Sequence, residues 1–351
     1  MRLTVVAFSC DAACAWSGAP ALGADPITLK LGGKLRHFFF AADQDETAAE
    51  RLNPTGMFTN AEIYFDGRTI LDNGIEVRAT IELEAESRNE SNADEVYIDF
   101  ISGLGKLRIG EKEGVSATMI EEPMPEAFLT TEEEAVGDML RPRTGVTVRD
   151  AFTFKRYVED VLGVSYETPP LLQGVKFGVS YFPALSTDEG FFDRADAQSN
   201  AYEVAGRYQG RFRGGTYRVA AAYFNATSRA GRADGNQGWI VHTGVTYGGW
   251  DVAGSFARST PASGIDETAW TLGALYGIGP YKVSANYFSG RRDRLPGAAR
   301  RESVQRANLQ GAYRVGPGIS LGVSGFYAEQ RDSRGVSWDG LGALGGAKLA
   351  F

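Results

Sequence analysis

Apolar and polar residues exchange places at every second position through most of this chain. From Ile75 to Leu83, the apolar face holds Ile75, Val77, Ala79, Ile81 and Leu83, and the polar face holds Glu76, Arg78, Thr80, Glu82 and Glu84. A period of two is a β-strand with one oily and one wet face. The pattern returns where Ala61, Ile63 and Phe65 alternate with Glu62, Tyr64 and Asp66, and where Tyr202, Val204 and Tyr208 alternate with Glu203, Ala205 and Arg207. It returns again around Trp270–Tyr276, Tyr281–Tyr287 and Ile319–Tyr327.

The connections between these runs are of two kinds. Tight reversals are predicted at Asp72-Asn73-Gly74, Gly103-Leu104-Gly105, Pro169-Pro170, Gly214-Gly215, Gly248-Gly249, Gly279-Pro280 and Gly316-Pro317-Gly318. Between them lie longer polar stretches at 41–56, 88–93, 112–157, 184–199, 227–237, 260–267, 290–303 and 331–337. Seven short turns alternating with eight long loops join sixteen strands, with both termini on the short-turn side. This is the order of an antiparallel up-and-down transmembrane β-barrel. A soluble sandwich or solenoid would also alternate. It would not need one set of turns short and the other long, and its packed core would not accept charge on strand after strand. A water-filled lumen accepts that charge.

Composition sharpens this picture. No apolar run approaches the roughly 20 residues a membrane helix requires, whereas barrel strands average to a polar composition. The 351 residues carry a formal net charge of −8, which argues against nucleic-acid binding. Residues 1–24 read as an export signal: Arg2, then Leu3, Val5, Val6, Ala7 and Phe8, then Ala12 to Trp16, with small residues around Ala21 and Ala24. Asp11 interrupts its apolar stretch. Both cysteines, Cys10 and Cys14, lie in this segment, so residues 25–351, the barrel domain, contain none. Such a domain would be stabilised by barrel closure rather than by disulfides. Tyrosines and tryptophans, among them Tyr64, Tyr97, Tyr208 and Trp250, fall mostly near predicted strand ends, where amphipathic rings favour membrane interfaces.

Three segments carry a family resemblance. The last strand alternates from Leu341 and ends at Phe351, and a terminal phenylalanine on such a strand resembles the assembly signal of outer-membrane barrels. Glu95-Val96-Tyr97-Ile98-Asp99-Phe100 followed by Gly105-Lys106-Leu107-Arg108-Ile109-Gly110 resembles the strand–turn–strand that precedes the third loop of Gram-negative general porins, alphaproteobacterial type. Val164-Ser165-Tyr166-Glu167-Thr168-Pro169, then Val175 to Tyr181, resembles the strands that follow that loop. The resemblance implies a homotrimer in outer-membrane lipid, a third loop folded into the lumen, and passive diffusion of small hydrophilic solutes and ions. The third loop departs from the family in being long and highly acidic.

A channel needs a constriction. Loop 112–157 is the longest connection and carries Glu113, Glu121, Glu122, Glu126, Glu132, Glu133, Glu134 and Asp138. On neighbouring strands, Lys34, Arg36, Arg68, Arg78 and Arg108 share the polar face and are expected to form a basic wall opposite this loop. Unlike clusters facing each other would set up a transverse field that selects by charge. Glu62, Asp66, Glu76 and Glu82 lie on the same faces and would neutralise part of that wall. Small residues such as Gly32, Gly33 and the run from Gly342 to Ala347 would let the first and last strands pack closely.

No catalytic pattern competes. His37, among Phe38, Phe39 and Phe40, reads as an interface residue, and His242, between Val241 and Thr243, as facing the lumen. There is no Gly-x-Ser-x-Gly elbow and no metal-spaced histidine pair. No cofactor or metal is expected. A substrate-specific channel, for a sugar or another small solute, is the alternative to a general one.

Overall fold

The computed structural model describes residues 25–46, 52–85, 93–120, 124–129, 140, 158, 160–172, 174–185, 199–227, 236–260, 265–293 and 300–351. The proposed signal segment 1–24 lies outside them. The strands are β1 (Thr28–Gln44), β2 (Thr55–Ile70), β3 (Glu76–Glu84), β4 (Ala93–Ser102), β5 (Gly105–Lys112), β6 (Val161–Glu167), β7 (Val175–Ala184) and β8 (Ser199–Phe212). They continue as β9 (Gly215–Thr227), β10 (Asn236–Tyr247), β11 (Trp250–Thr260), β12 (Glu267–Ile278), β13 (Tyr281–Arg292), β14 (Glu302–Gly316), β15 (Ile319–Arg331) and β16 (Ser337–Ala350). Among the described residues, one short helix, α1 (Val115–Ile120), follows β5. Each strand pairs antiparallel with its chain neighbours, and β1 pairs with β16, closing the barrel at sixteen strands.

The predicted alternation of short and long connections is the observed one. At Gly248-Gly249 both residues have positive φ, 57° and 87°, as a two-residue hairpin that follows the strand twist requires. The first long loop is shorter than the 41–56 stretch suggested, because β1 runs on to Gln44 and β2 begins at Thr55. These ends stay extended because each is paired, Ala41 with Thr55 on one side and Gln44 with Gly340 on the other.

Closure depends on the small residues of β16. A Cβ at Gly346 would collide with the backbone of His37, and one at Gly342 would stand 2.8 Å from the Ala41 carbonyl. The amide of Gly33 donates to the Phe351 carbonyl, and the amide of Phe351 donates to the Gly33 carbonyl, both at 3.1 Å. This seam satisfies the backbone groups that a sheet edge would leave exposed to lipid.

Outward positions carry two tiers of aromatic rings. The tier near the short turns pairs Tyr208 with Tyr217, Trp250 with Tyr276 and Tyr281 with Tyr313, with ring centroids 4.8 to 5.5 Å apart. The tier near the long loops pairs Tyr202 with Tyr223, Trp239 with Phe256 and Trp270 with Tyr287. Cross-strand ring pairs of this kind add to sheet stability and suit a bilayer interface. Tyr64 and Tyr97 depart from the expected placement at strand ends. Tyr64 donates to Glu62 at 2.5 Å, and Arg108 lies 4.1 Å from the Tyr97 ring, so both point into the barrel with the charged residues.

Candidate functional site

The bore is crossed by the segment between β5 and β6. Its first attachment is at α1. The Val115 amide donates to Ser180 Oγ at 3.0 Å, the Ser116 amide to Glu203 Oε2 at 2.9 Å, and Ser116 Oγ to Glu203 Oε1 at 2.7 Å. The first amides of a helix have no partner within it; here serine and glutamate on β7 and β8 supply them. Val115, Met119 and Ile120 then bury against Ala205, Ala220, Ala222, Ile240 and Ala257 on the inner wall. The wall accepts the helix because its inward residues are small. A Cβ at Gly178 would lie 2.8 Å from Val115 Cγ1.

The second attachment lies on β13, β14 and β16. The Ala127 amide donates to Ser284 Oγ at 2.9 Å, and the Phe128 and Leu129 amides both donate to Gln310 Oε1, at 2.8 and 2.9 Å. Gln310 Nε2 returns bonds to the Leu129 carbonyl and to Glu126 Oε1, at 3.0 and 3.1 Å. Lys348 donates to the Phe128 carbonyl. The Phe128 ring meets Phe38 edge-on at 5.7 Å and joins a buried cluster with Phe58, Leu140, Phe288, Phe326 and Trp338. A Cβ at Gly322 would overlap the Phe128 ring. The segment is thus tied to the β7–β11 side at one end and to the β13–β16 side further on.

The expected basic wall is contiguous and only partly charge-compensated, five cations facing three carboxylates. Lys34 and Arg36 both reach Glu62. Arg68 and Arg78 share Glu76, and Arg108 holds Asp99 through two nitrogens at 2.6 and 2.8 Å. Of the acidic loop residues, Glu113 pairs with Lys112 at 2.5 Å. Glu126 faces the wall rather than the open bore; it accepts from Asn308 at 3.2 Å and sits 3.8 Å from Arg306, with 2% of its side chain exposed. It serves as an anchor because the polar row of β14 lies directly under it. Glu121, Glu122, Glu132, Glu133, Glu134 and Asp138 lie outside the described residues. Phe351 projects outward and is exposed.

Glu203, Ser180, Ser284, Gln310 and Lys348 were not singled out by the sequence reading. At Glu203 the signal is an inward row of alanine interrupted by one polar residue, Ala201-Glu203-Ala205, whereas Ser284 and Gln310 sit in polar rows beside Asn286 and Asn308 and carry no such mark. Small inward residues mean that something packs there, and the polar one ties it down. Among the described residues, Glu95, Glu113 and Asp160 place carboxylate oxygens within 4.8 Å of one another. Lys112 binds two of these groups and supplies the positive charge. His37, as an outward residue, shares a 2.8 Å hydrogen bond with Thr59, and His242 is buried on the lumen face with Nδ1 3.0 Å from Ser255 Oγ. The Nε2 of His242 accepts from Arg218 Nε at 3.3 Å.

A closed barrel whose inner wall holds described loop residues on two sides has the architecture of a channel with a loop inside its bore. In solved structures the same fold occurs in OmpF of Salmonella typhi in complex with daunomycin (TM-score 0.66, 15% identity, covering 92% of this chain and 97% of that one). It occurs in an anion-selective porin from Comamonas acidovorans (TM-score 0.64, 13% identity, 93% and 100%) and in the trimer form of OmpT from Vibrio cholerae (TM-score 0.64, 12% identity, 93% and 100%). No curated protein matches the sequence. These identities speak to fold alone; membership rests on the family model described as Gram-negative porin, which matches residues 3–334. The chain belongs to the Gram-negative porins, β-barrel channels of the outer membrane.

Proposed function

We propose that the loop between β5 and β6, facing the wall of β1–β5, forms the constriction through which small hydrophilic solutes and ions diffuse passively. The observation that carries this is the double attachment of the loop, through Glu203 at one end and Gln310 at the other. Lys34, Arg36, Arg68, Arg78 and Arg108 with their carboxylate partners make one side of the eyelet, and the acidic loop the other. Conductance and reversal potential in planar bilayers test this reading. With the wall partly compensated, the more numerous loop carboxylates tip the balance, so weak cation preference is expected. Neutralising Glu132, Glu133 and Glu134 together to glutamine should move the reversal potential in a salt gradient toward anions. An unmoved potential would take these residues out of the eyelet.

Assembly as a homotrimer is part of the same proposal. Outward tyrosines and tryptophans run from Tyr166 on β6 to Tyr327 on β15, and the described outward positions of β16 and β1–β5 carry none. Headgroup-level aromatic belts mark lipid contact. A sector lacking both tiers, with exposed Leu31, Phe39 and Met57 and the small residues Ala343, Gly345 and Ala347, suits another copy of the chain. A Cβ at Gly345 would meet nothing closer than 3.7 Å, so the barrel itself tolerates a side chain there. Gly345→Trp should therefore leave a folded barrel that runs as a monomer in mild detergent, measured by light scattering. A trimer of unchanged stability would place the interface elsewhere. Release of residues 1–24 on export and recognition of Phe351 during assembly complete the proposed picture.

A further inference from the structure

The ion clusters of the inner wall change composition along the bore. Near the short turns, one carboxylate serves two cations. Glu76 holds Arg68 and Arg78, and Glu167 holds Lys106 and Lys176. Near the long loops the ratio inverts. Lys112 holds Glu95 and Glu113, and Arg292 holds Glu267 and Glu302. With carboxylates ionised and amino and guanidinium groups protonated at neutral pH, the first kind of cluster is net positive and the second net negative. Pairing cancels neither.

Further cations strengthen the short-turn end. Strand parity turns Arg211, Lys282 and Arg314 inward at that mouth. Lys282 lies opposite Gly277 and Ala312, and Arg211 opposite Thr216. Among the described residues, none of the three forms an ion pair. The attached loop segment separates this mouth from the acidic one.

We infer that the lumen is a bipolar junction and that the channel rectifies, passing more current when the long-loop side is positive. In that polarity cations enter through the carboxylate mouth and anions through the basic mouth, and both accumulate at the constriction. In the opposite polarity both are drawn out and the constriction is depleted. The screening length is about 10 Å at 0.1 M salt and about 3 Å at 1 M, so the fixed charges span the bore only in dilute salt. The basic mouth also gathers multivalent anions arriving from the short-turn side.

The inference rests on the channel reading above, and single-channel recording separates the two. The full chain, extracted from membranes, is inserted in a planar bilayer and current is compared at equal voltages of either sign. At about 0.1 M KCl the two currents should differ by at least roughly 1.5-fold, and at about 1 M they should converge. Inorganic tripolyphosphate, added to each chamber in turn, should reduce current from one side only. That side is the short-turn side, and the larger current should flow when the opposite chamber is positive. The variant K282E/R314E, altered at exposed rim positions, should lose most of the asymmetry and the one-sided block while keeping its conductance at high salt. Symmetric currents in dilute salt, asymmetry of the opposite sign, or asymmetry unchanged in K282E/R314E would each overturn the inference while leaving the channel standing. Absence of any conductance would overturn both.

Discussion

Gln310→Leu should free the second loop attachment and raise single-channel conductance on the order of two-fold, with added current noise as the loop moves in the bore. Gln310 accepts from two consecutive loop amides and donates to the Leu129 carbonyl and to Glu126. Leucine nearly matches its volume and makes none of these bonds. Each buried amide left without a partner costs about 1–3 kcal/mol. Two such amides, together with the lost donor bonds, outweigh the net gain of about 1 kcal/mol from any one remaining hydrogen bond, such as that to Ser284. Only the Phe128 cluster then favours the attached loop substantially, so detachment becomes more frequent. Gln310→Glu is the control, since it keeps the acceptor oxygen but adds charge beside Glu126. Its effect should fall between wild type and Gln310→Leu. Wild-type conductance and noise in Gln310→Leu would show that the Phe128 cluster alone holds the loop.

A second large effect is expected from exchanging size between Phe128 and Gly322. The Phe128 ring lies where a Gly322 side chain would begin. Gly322→Leu alone should overpack this contact and destabilise by about 1–3 kcal/mol or more. Phe128→Ala alone should open a cavity in the cluster with Phe38, Phe58 and Phe326 and cost about 3–5 kcal/mol. Combined, leucine enters the space the ring vacates, so the double variant should be more stable than the sum predicts by about 2 kcal/mol. Unfolding of the detergent-solubilised barrel, followed by circular dichroism against denaturant, measures this. Additive losses would mean that the loop is not seated on β15 in the folded channel. The test is specific to the inward loop, because an outward loop would leave Gly322 facing water and indifferent to substitution.

Much of this architecture is readable before any coordinates. Barrel strands are local objects: the face of each residue follows from its parity, and the side of each turn follows from counting. Glu203 and His242 could be assigned to the lumen because their neighbours Val204 and Val241 belong to the oily face. The resemblance around Glu95–Gly110 and Val164–Tyr181 located the loop that enters the bore. The turn expected at Pro169-Pro170 is longer, since β6 ends at Glu167 and β7 begins at Val175, and the boundary at 41–56 is misjudged where polar residues such as Asp43 and Gln44 extend the strands beyond the apolar pattern. There the pairing across β1, β2 and β16 overrides composition.

What the sequence determined by itself, then, is the sixteen-stranded alternating barrel, the inward placement of the charged residues and the identity of the long third loop, because these depend on period and order along the chain. Which inward charges answer one another was decided only by the closed structure. Arg78 and Arg68 meet at Glu76 because of the register between β2 and β3. Glu126 meets Arg306 and Gln310, more than 170 positions away, because closure brings β14 under the loop. The anchors at Glu203 and Gln310 were equally hidden. A polar residue on a lumen face looks the same in sequence whether it faces water or the backbone of a loop. The difference is set by three-dimensional proximity, since only a buried loop amide makes a wall carboxylate or amide into a structural tie.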